Sequence, residues 1–192
     1  MTLALLRAEQ PELTDATAIA ASLEAPAAFS TVFERHHAAV HGYLARRLGV
    51  DLADELAAEA FAVAFAKRGR YDGSFPDPRP WLFGIATRLA QRHWRREERE
   101  LRAYARTGVD PAVPSHEEHV AAQADSAAAG PALAAALALL SRDERDVLLL
   151  YAWAELGYPE IAAALSISPG TVKSRLHRAR GRVRRSLEEA GG

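Results

Sequence analysis

The chain has 192 residues, 49% of them hydrophobic, with 24 Lys and Arg against 25 Asp and Glu and no cysteine. That length and apolar share suit one or two modest cores of a soluble globular protein, and the missing cysteines exclude disulfides and thiolate metal sites while saying nothing of compartment. No run of eighteen apolar residues occurs, and the opening MTLALLRAEQPELTDATAIAA has acids where a secretory signal needs a long apolar stretch, so the sequence predicts a cytoplasmic protein without membrane insertion.

Residues 1 to 25 read as a short Ala-rich extension, helical or partly ordered. From Ala27 to Leu48, the apolar residues Phe29, Val32, Phe33, Val40, Tyr43, Leu44 and Leu48 recur at helical spacing, and Gly49 supplies a stop. The stretch DLADELAAEAFAVAFAKRG, 51 to 69, opens with acids and closes with Lys67 and Arg68, charges that complement a helix dipole at each end. RYDGSFPDPRP, 70 to 80, holds three prolines and a glycine and predicts a constrained loop. A third helix starts near Pro80 and runs through Trp81, Leu82, Ile85, Leu89 and Trp94 into the charged run RREERE.

Residues 105 to 130 lack a sustained apolar face and predict a tether that contains the boundary between two domains. The helical pattern returns at Pro131. PALAAALALL forms one helix, and Ser141 with Glu144 three residues on forms a capping box ahead of a second, apolar one. YPEIAAALSISPGTVKSRLHRAR then reads as helix, turn, helix. Ile161, Ala162 and Leu165 line the first helix, and Val172 and Leu176, four apart on the second, pack back against it. Alternating strand patterns are missing throughout, so the fold class expected is all-α: two small helical domains joined by a flexible linker.

The charge is distributed unevenly. Residues 166 to 185 carry seven Lys and Arg and no acid; residues 86 to 96 carry Arg88, Arg92, Arg95 and Arg96 and no acid; and 97 to 140 hold seven acids against three Arg. With Val172 and Leu176 turned inward, Lys173, Ser174, His177, Arg178 and Arg180 face outward on a helix whose width fits the major groove, where Lys, Arg and Ser reach base edges and phosphates. Duplex DNA is therefore the expected target. Thr171 is placed either to cap the helix or to touch a phosphate, and His177 to read a base, touch a phosphate or stand in solvent.

Two rival classes are weaker. A metal enzyme could use His37 with His41, one turn apart, or His116 with His119, but neither pair completes a ligand set. No phosphate loop, dinucleotide fingerprint or nucleophile elbow is present, so no catalytic residue, metal or cofactor is expected. A DNA-binding transcriptional regulator with a carboxy-terminal helix-turn-helix needs a strand-rich or ligand-pocket domain upstream, where 27 to 96 show a helical pattern.

Two segments resemble a known family. Residues 140 to 187 resemble region 4, and 29 to 97 region 2, of the extracytoplasmic-function (ECF) group of bacterial sigma-70 family RNA polymerase sigma factors, in the family's order. The resemblance implies a region 2 domain over 27–96 that binds core polymerase and the -10 element, a linker over 97–130, and a region 4 helix-turn-helix domain over 131–189 that binds the -35 element. It further implies that Asp54, Glu55, Leu56, Glu59 and Phe61 meet the core enzyme. Tyr71, Asp72, Phe75, Trp81, Arg88, Arg92, Arg95 and Arg96 are implied to engage the melted -10 strand and its backbone, and Thr171, Lys173, Ser174, His177 and Arg178 the double-stranded -35 element. Trp81 suits a core position as well as a base contact. Departures from the family are Ala58, where many members have Gln, Arg88 and Arg92, where many have Asn and Asp, and the proline-rich FPDP. The implied partners are RNA polymerase core enzyme, promoter DNA and an anti-sigma factor.

Overall fold

The computed structural model describes residues 14–107 and 130–191, and every regular element among them is helical. Helix α1 (Asp15–Ala21) starts at Thr14, whose hydroxyl accepts the Thr17 amide at 3.2 Å. It buries Ala18 and Ile19, while Asp15 pairs with Arg35 at 2.9 Å and with His36 at 2.7 Å, so this part of the expected extension is docked.

A short 3-10 turn, Pro26–Phe29, leads into α2 (Ser30–Leu48), which is followed after a single residue by α3 (Val50–Lys67). That residue is Gly49 at φ 95, a conformation in which a side chain is strained. Val32, Val40, Tyr43, Leu44 and Leu48 are buried on α2 as the spacing predicts, whereas Phe33 stays 41% exposed, its ring against Phe61 and His37. Helix α3 buries Ala53, Ala57, Ala60 and Ala64 beside Leu56 and Phe61, and this alanine face lets α2 and α3 approach closely.

After the 3-10 turn Arg68–Arg70 and the loop 71–78 comes α4 (Arg79–Thr107), with Pro80 in its first turn as expected. The helix buries Leu82, Phe83, Ile85, Ala86, Leu89, Ala90 and Trp94. It also continues through 97–107, where a linker was expected to begin at 97. Glu, Arg and Ala, frequent in that stretch, are strong helix formers. The rest of the expected linker lies outside the described residues.

The second region holds α5 (Gly130–Ala138), α6 (Arg142–Ala152), α7 (Tyr158–Leu165) and α8 (Pro169–Gly191). The capping box at the start of α6 forms as expected, with the Glu144 amide donating to the Ser141 hydroxyl at 3.4 Å and the Ser141 amide to the Glu144 carboxylate at 3.2 Å. The two regions share one continuous apolar core, and α4 lies across α7. Where two tethered domains were expected, the helical bodies are in contact.

Candidate nucleic-acid interface

The helix-turn-helix is built from local chemistry. Helix α7 starts at Gly157, whose amide donates to the Glu160 carboxylate at 2.6 Å, and ends at Ser166 in the left-handed conformation, φ 56. The cap of α8 is Ser168, whose hydroxyl accepts the Thr171 amide at 3.1 Å and meets the Thr171 hydroxyl at 2.8 Å. Of the two roles open to Thr171, capping therefore belongs to Ser168, and Pro169 takes the first helical position.

Val172, Leu176 and Ala179 are buried to 1% exposure or less, while Lys173, Ser174, His177, Arg178 and Arg180 are exposed. The expected facing of α8 is thus present. A shallow depression on this face is lined by Lys173, Ser174, His177 and Arg178 together with Tyr158 and Gly170. The Ser174 hydroxyl donates to the Thr171 carbonyl at 3.0 Å, so what it offers outward is an acceptor.

Several cations of α8 already have protein partners. Arg175 meets Asp143 at 2.5 Å, Arg178 meets Glu144 at 3.2 Å, and Arg182 meets Glu144 at 3.0 Å. The Arg180 guanidinium lies 4.4 Å from the ring centre of Tyr151. Burial pushes the Glu144 carboxyl up, but the Ser141 hydroxyl and amide, the Arg178 hydrogen bond and the Arg182 charge outweigh it and hold the group below the usual carboxylate range. Lys173 and His177 have no ion pair among the described residues.

In the first region, the Tyr71 hydroxyl donates to the Phe75 carbonyl, and its ring lies 5.1 Å from Trp81. Burial first, then the charges of Asp77, Asp15 and Asp72, push the Tyr71 hydroxyl up to about 12. Asp72 accepts the Ser74 amide at 3.0 Å, which lowers its pKa, and Asp77 accepts the Arg79 amide at 2.8 Å. Both carboxylates thus shape the loop, an Asx-turn role the sequence reading did not assign. Phe75 is 55% exposed, and Trp81 is half-buried against Tyr71 with part of its ring open.

Arg88, Arg92, Arg95 and Arg96 are exposed along one side of α4, each with a partner in the protein. Arg88 donates to the Ala164 carbonyl at 3.3 Å, Arg92 pairs with Glu59, and Arg95 donates to Gln91 at 3.2 Å. On α3, Asp54 and Glu55 are exposed, Asp54 meets His41 at 2.8 Å, and Glu59 is half-exposed. Leu56 and Phe61 are 4% and 5% exposed. They are therefore corrected from contact residues to core residues that support the acidic surface from beneath. His37 stacks on His41, and no group of three or more His, Asp or Glu among the described residues could hold a metal. His116 and His119 lie outside the described residues.

Four features escaped the sequence reading: the Ser168 cap, Glu144 as an anchor for arginines, the buried pair Arg47–Asp146, and Gly84 against Ala164. The position of Arg47 carried a signal, since it falls on the stripe of Val40, Tyr43, Leu44 and Leu48, where a lone cation requires a buried partner.

Family models describing sigma-70 region 2 and sigma-70 region 4 match residues 32–100 and 131–183. The chain is 36% identical over 170 residues to the RNA polymerase sigma factor CarQ of Myxococcus xanthus, covering 84% of this chain and 90% of the relative. It is 30% identical to the ECF RNA polymerase sigma factor EcfG of Rhodopseudomonas palustris over 69% of this chain and 70% of the relative. Among solved structures, the sigma factor RpoE of Bartonella quintana in complex with the anti-sigma factor NepR aligns with a TM-score of 0.64 and 26% identity, covering 83% of this chain and 96% of that one.

Proposed function

The chain belongs to the ECF group of the sigma-70 family, non-catalytic subunits that direct RNA polymerase to promoters, and from that premise we propose how its surfaces divide the task. Helix α8 enters the major groove of the -35 element, with Lys173, His177 and the outer edge of Arg178 toward DNA and Ser174 as an acceptor. The loop 71–78 and the exposed side of α4 take the melted -10 strand. Phe75 and the open part of Trp81 offer stacking surface, and Arg88, Arg92, Arg95 and Arg96 face phosphates. Asp54, Glu55 and Glu59 steer a basic surface of core polymerase onto α3. The first unit then runs from α1 to the end of α4, longer than 27–96, and the second covers 131–189. As in the complexed relative from Bartonella quintana, an anti-sigma factor is the proposed regulator.

The single observation that carries this reading is the facing of α8: Val172 and Leu176 inside, Lys173 and His177 outside and without an ion pair among the described residues. In vitro transcription with purified core polymerase, on templates selected from a random library by the wild-type holoenzyme, tests it. Replacing Lys173 and Arg178 together with Ala abolishes -35-dependent initiation while core binding persists. Equal initiation by the double variant refutes the -35 assignment.

A further inference from the structure

Glu144 stands where the first turn of α6 meets the flank of α8. Its carboxylate is enclosed, the side chain 5% exposed, and both oxygens are in use. Oε2 accepts from the Ser141 hydroxyl at 2.9 Å, from the Ser141 amide at 3.2 Å and from Arg182 Nη1 at 3.0 Å. Oε1 has one partner among the described residues, Nε of Arg178 at 3.2 Å. The group is ionised at neutral pH, and an enclosed carboxylate oxygen left without a donor is costly, so the bond to Arg178 is hard to give up.

That bond decides which end of the arginine is left for a ligand. Arg178 uses its inner nitrogen on Glu144, while its side chain stays 55% exposed and Nη1 and Nη2 have no hydrogen-bond partner among the described residues. What it presents outward is the end of the guanidinium, two parallel N–H donors on a planar fork. In the major groove only guanine offers two acceptors side by side, O6 and N7; adenine pairs an acceptor with a donor, and cytosine and thymine each offer one polar group. Arg182 lies one turn further along α8, and two guanidiniums four residues apart repel unless an opposite charge stands between them. Glu144 is that charge. Its hold also removes, before DNA arrives, side-chain freedom that an untethered arginine would lose on binding.

We propose that Glu144 is a positioning residue for promoter reading: by gripping Nε of Arg178 it fixes the guanidinium end-on toward the groove and makes this arginine the reader of one guanine in the -35 element. The inference rests on the assignment of α8 to that element. It gives a side chain of α6, itself away from DNA, control over sequence preference at a single base pair. An untethered arginine at the same place would still be drawn to DNA, but by phosphates as much as by bases, and phosphate contacts carry no sequence information.

Holoenzyme made from purified core polymerase and the full-length chain is mixed with duplexes randomised across the -35 element of a promoter selected by the wild type, and the bound and free fractions are sequenced. The parent should favour guanine at one position by about tenfold or more, and Arg178→Ala should flatten that position alone. Glu144→Gln is the test variant. Its amide oxygen still accepts from Ser141 and keeps the helix cap, but a neutral amide no longer holds two arginines. It should reduce the guanine preference to about twofold and leave the other positions as in the parent. Added to Arg178→Ala, it should change nothing further. Ratios between bound sequences do not depend on the folded fraction, so lost stability alone leaves them in place. In the free parent, the Arg178 Nε–H should also give a sharp, slowly exchanging NMR signal at neutral pH that Arg178→Lys removes, and a parent without that signal overturns the grip. A Glu144→Gln variant that keeps the parent's preference, lowers it at every position alike, or acts equally with and without Arg178 overturns the inference. So does an Arg178-dependent position that favours another base. A parent without preference across the element, or an Arg178→Ala variant that matches the parent, overturns the -35 assignment and the inference with it.

Discussion

On α8 of the second region, Lys173 and His177 stand in solvent without an ion-pair partner among the described residues, whereas on α4 of the first region Arg79, Arg88 and Arg92 already donate to protein oxygens. Both helices looked equally basic. The difference is one of availability: a cation aimed at a groove is ready on arrival, while a cation bound to a carbonyl or carboxylate exchanges one partner for another and gains less. Counting charge along a sequence gives the sum, and the tertiary contacts decide which part of it faces outward.

The comparison breaks most visibly in the cores beneath the two surfaces. Leu176→Ala should cost about 2–5 kcal/mol and Phe83→Ala about 3–5 kcal/mol in urea unfolding. The first should abolish -35-dependent initiation in the folded fraction and the second promoter melting, seen by permanganate footprinting. An equal effect of both on both steps would show that the regions do not act separately.

The charges themselves sharpen it next. For a nonspecific 30-base-pair duplex, Lys173→Ala in the free chain should reduce the slope of log affinity against log salt by about 1. Arg92→Ala should reduce it far less, because Glu59 already neutralises that guanidinium. Equal slopes would erase the distinction in availability.

Acid distinguishes the regions in another way. The Glu144 carboxyl is held below its ordinary value of 4.5, so its contribution to stability is complete above that pH and disappears as pH falls through the lower, folded value. Glu144→Gln should therefore lower the urea midpoint at pH 7, by an amount that shrinks as pH falls below 4.5. The smallest effects come from the turn: Ser168→Ala should cost about 1 kcal/mol of stability through the lost cap, and Ser166→Gly should add up to about 1 kcal/mol by relieving φ 56. Thermal melts resolve both.

Much of this architecture was legible because it is local. Helical spacing put Val172 and Leu176 inside and Lys173 and His177 outside, the Ser141–Glu144 box marked a helix start, and Gly49 marked a corner. What escaped depends on partners distant in the chain. Arg47 and Asp146 are 99 residues apart, and nothing near either names the other. Leu52, Leu56, Phe61 and Phe65 fall near one side of α3 by helical spacing, but that Leu56 and Phe61 are wholly enclosed shows only once α2 and α4 pack on that side. Gly84 has meaning only once α7 lies against it.

The corner at Gly49 carries a last consequence. With one residue joining two helices of 19 and 18 residues, that end of the first region has no slack, and apart from Gly49 only the loop 71–78 interrupts helical backbone between Ser30 and Thr107. On the proposed assignment of that loop to the melted strand, the give needed to admit an extruded nucleotide is concentrated there, within a unit whose remaining backbone is almost wholly helical.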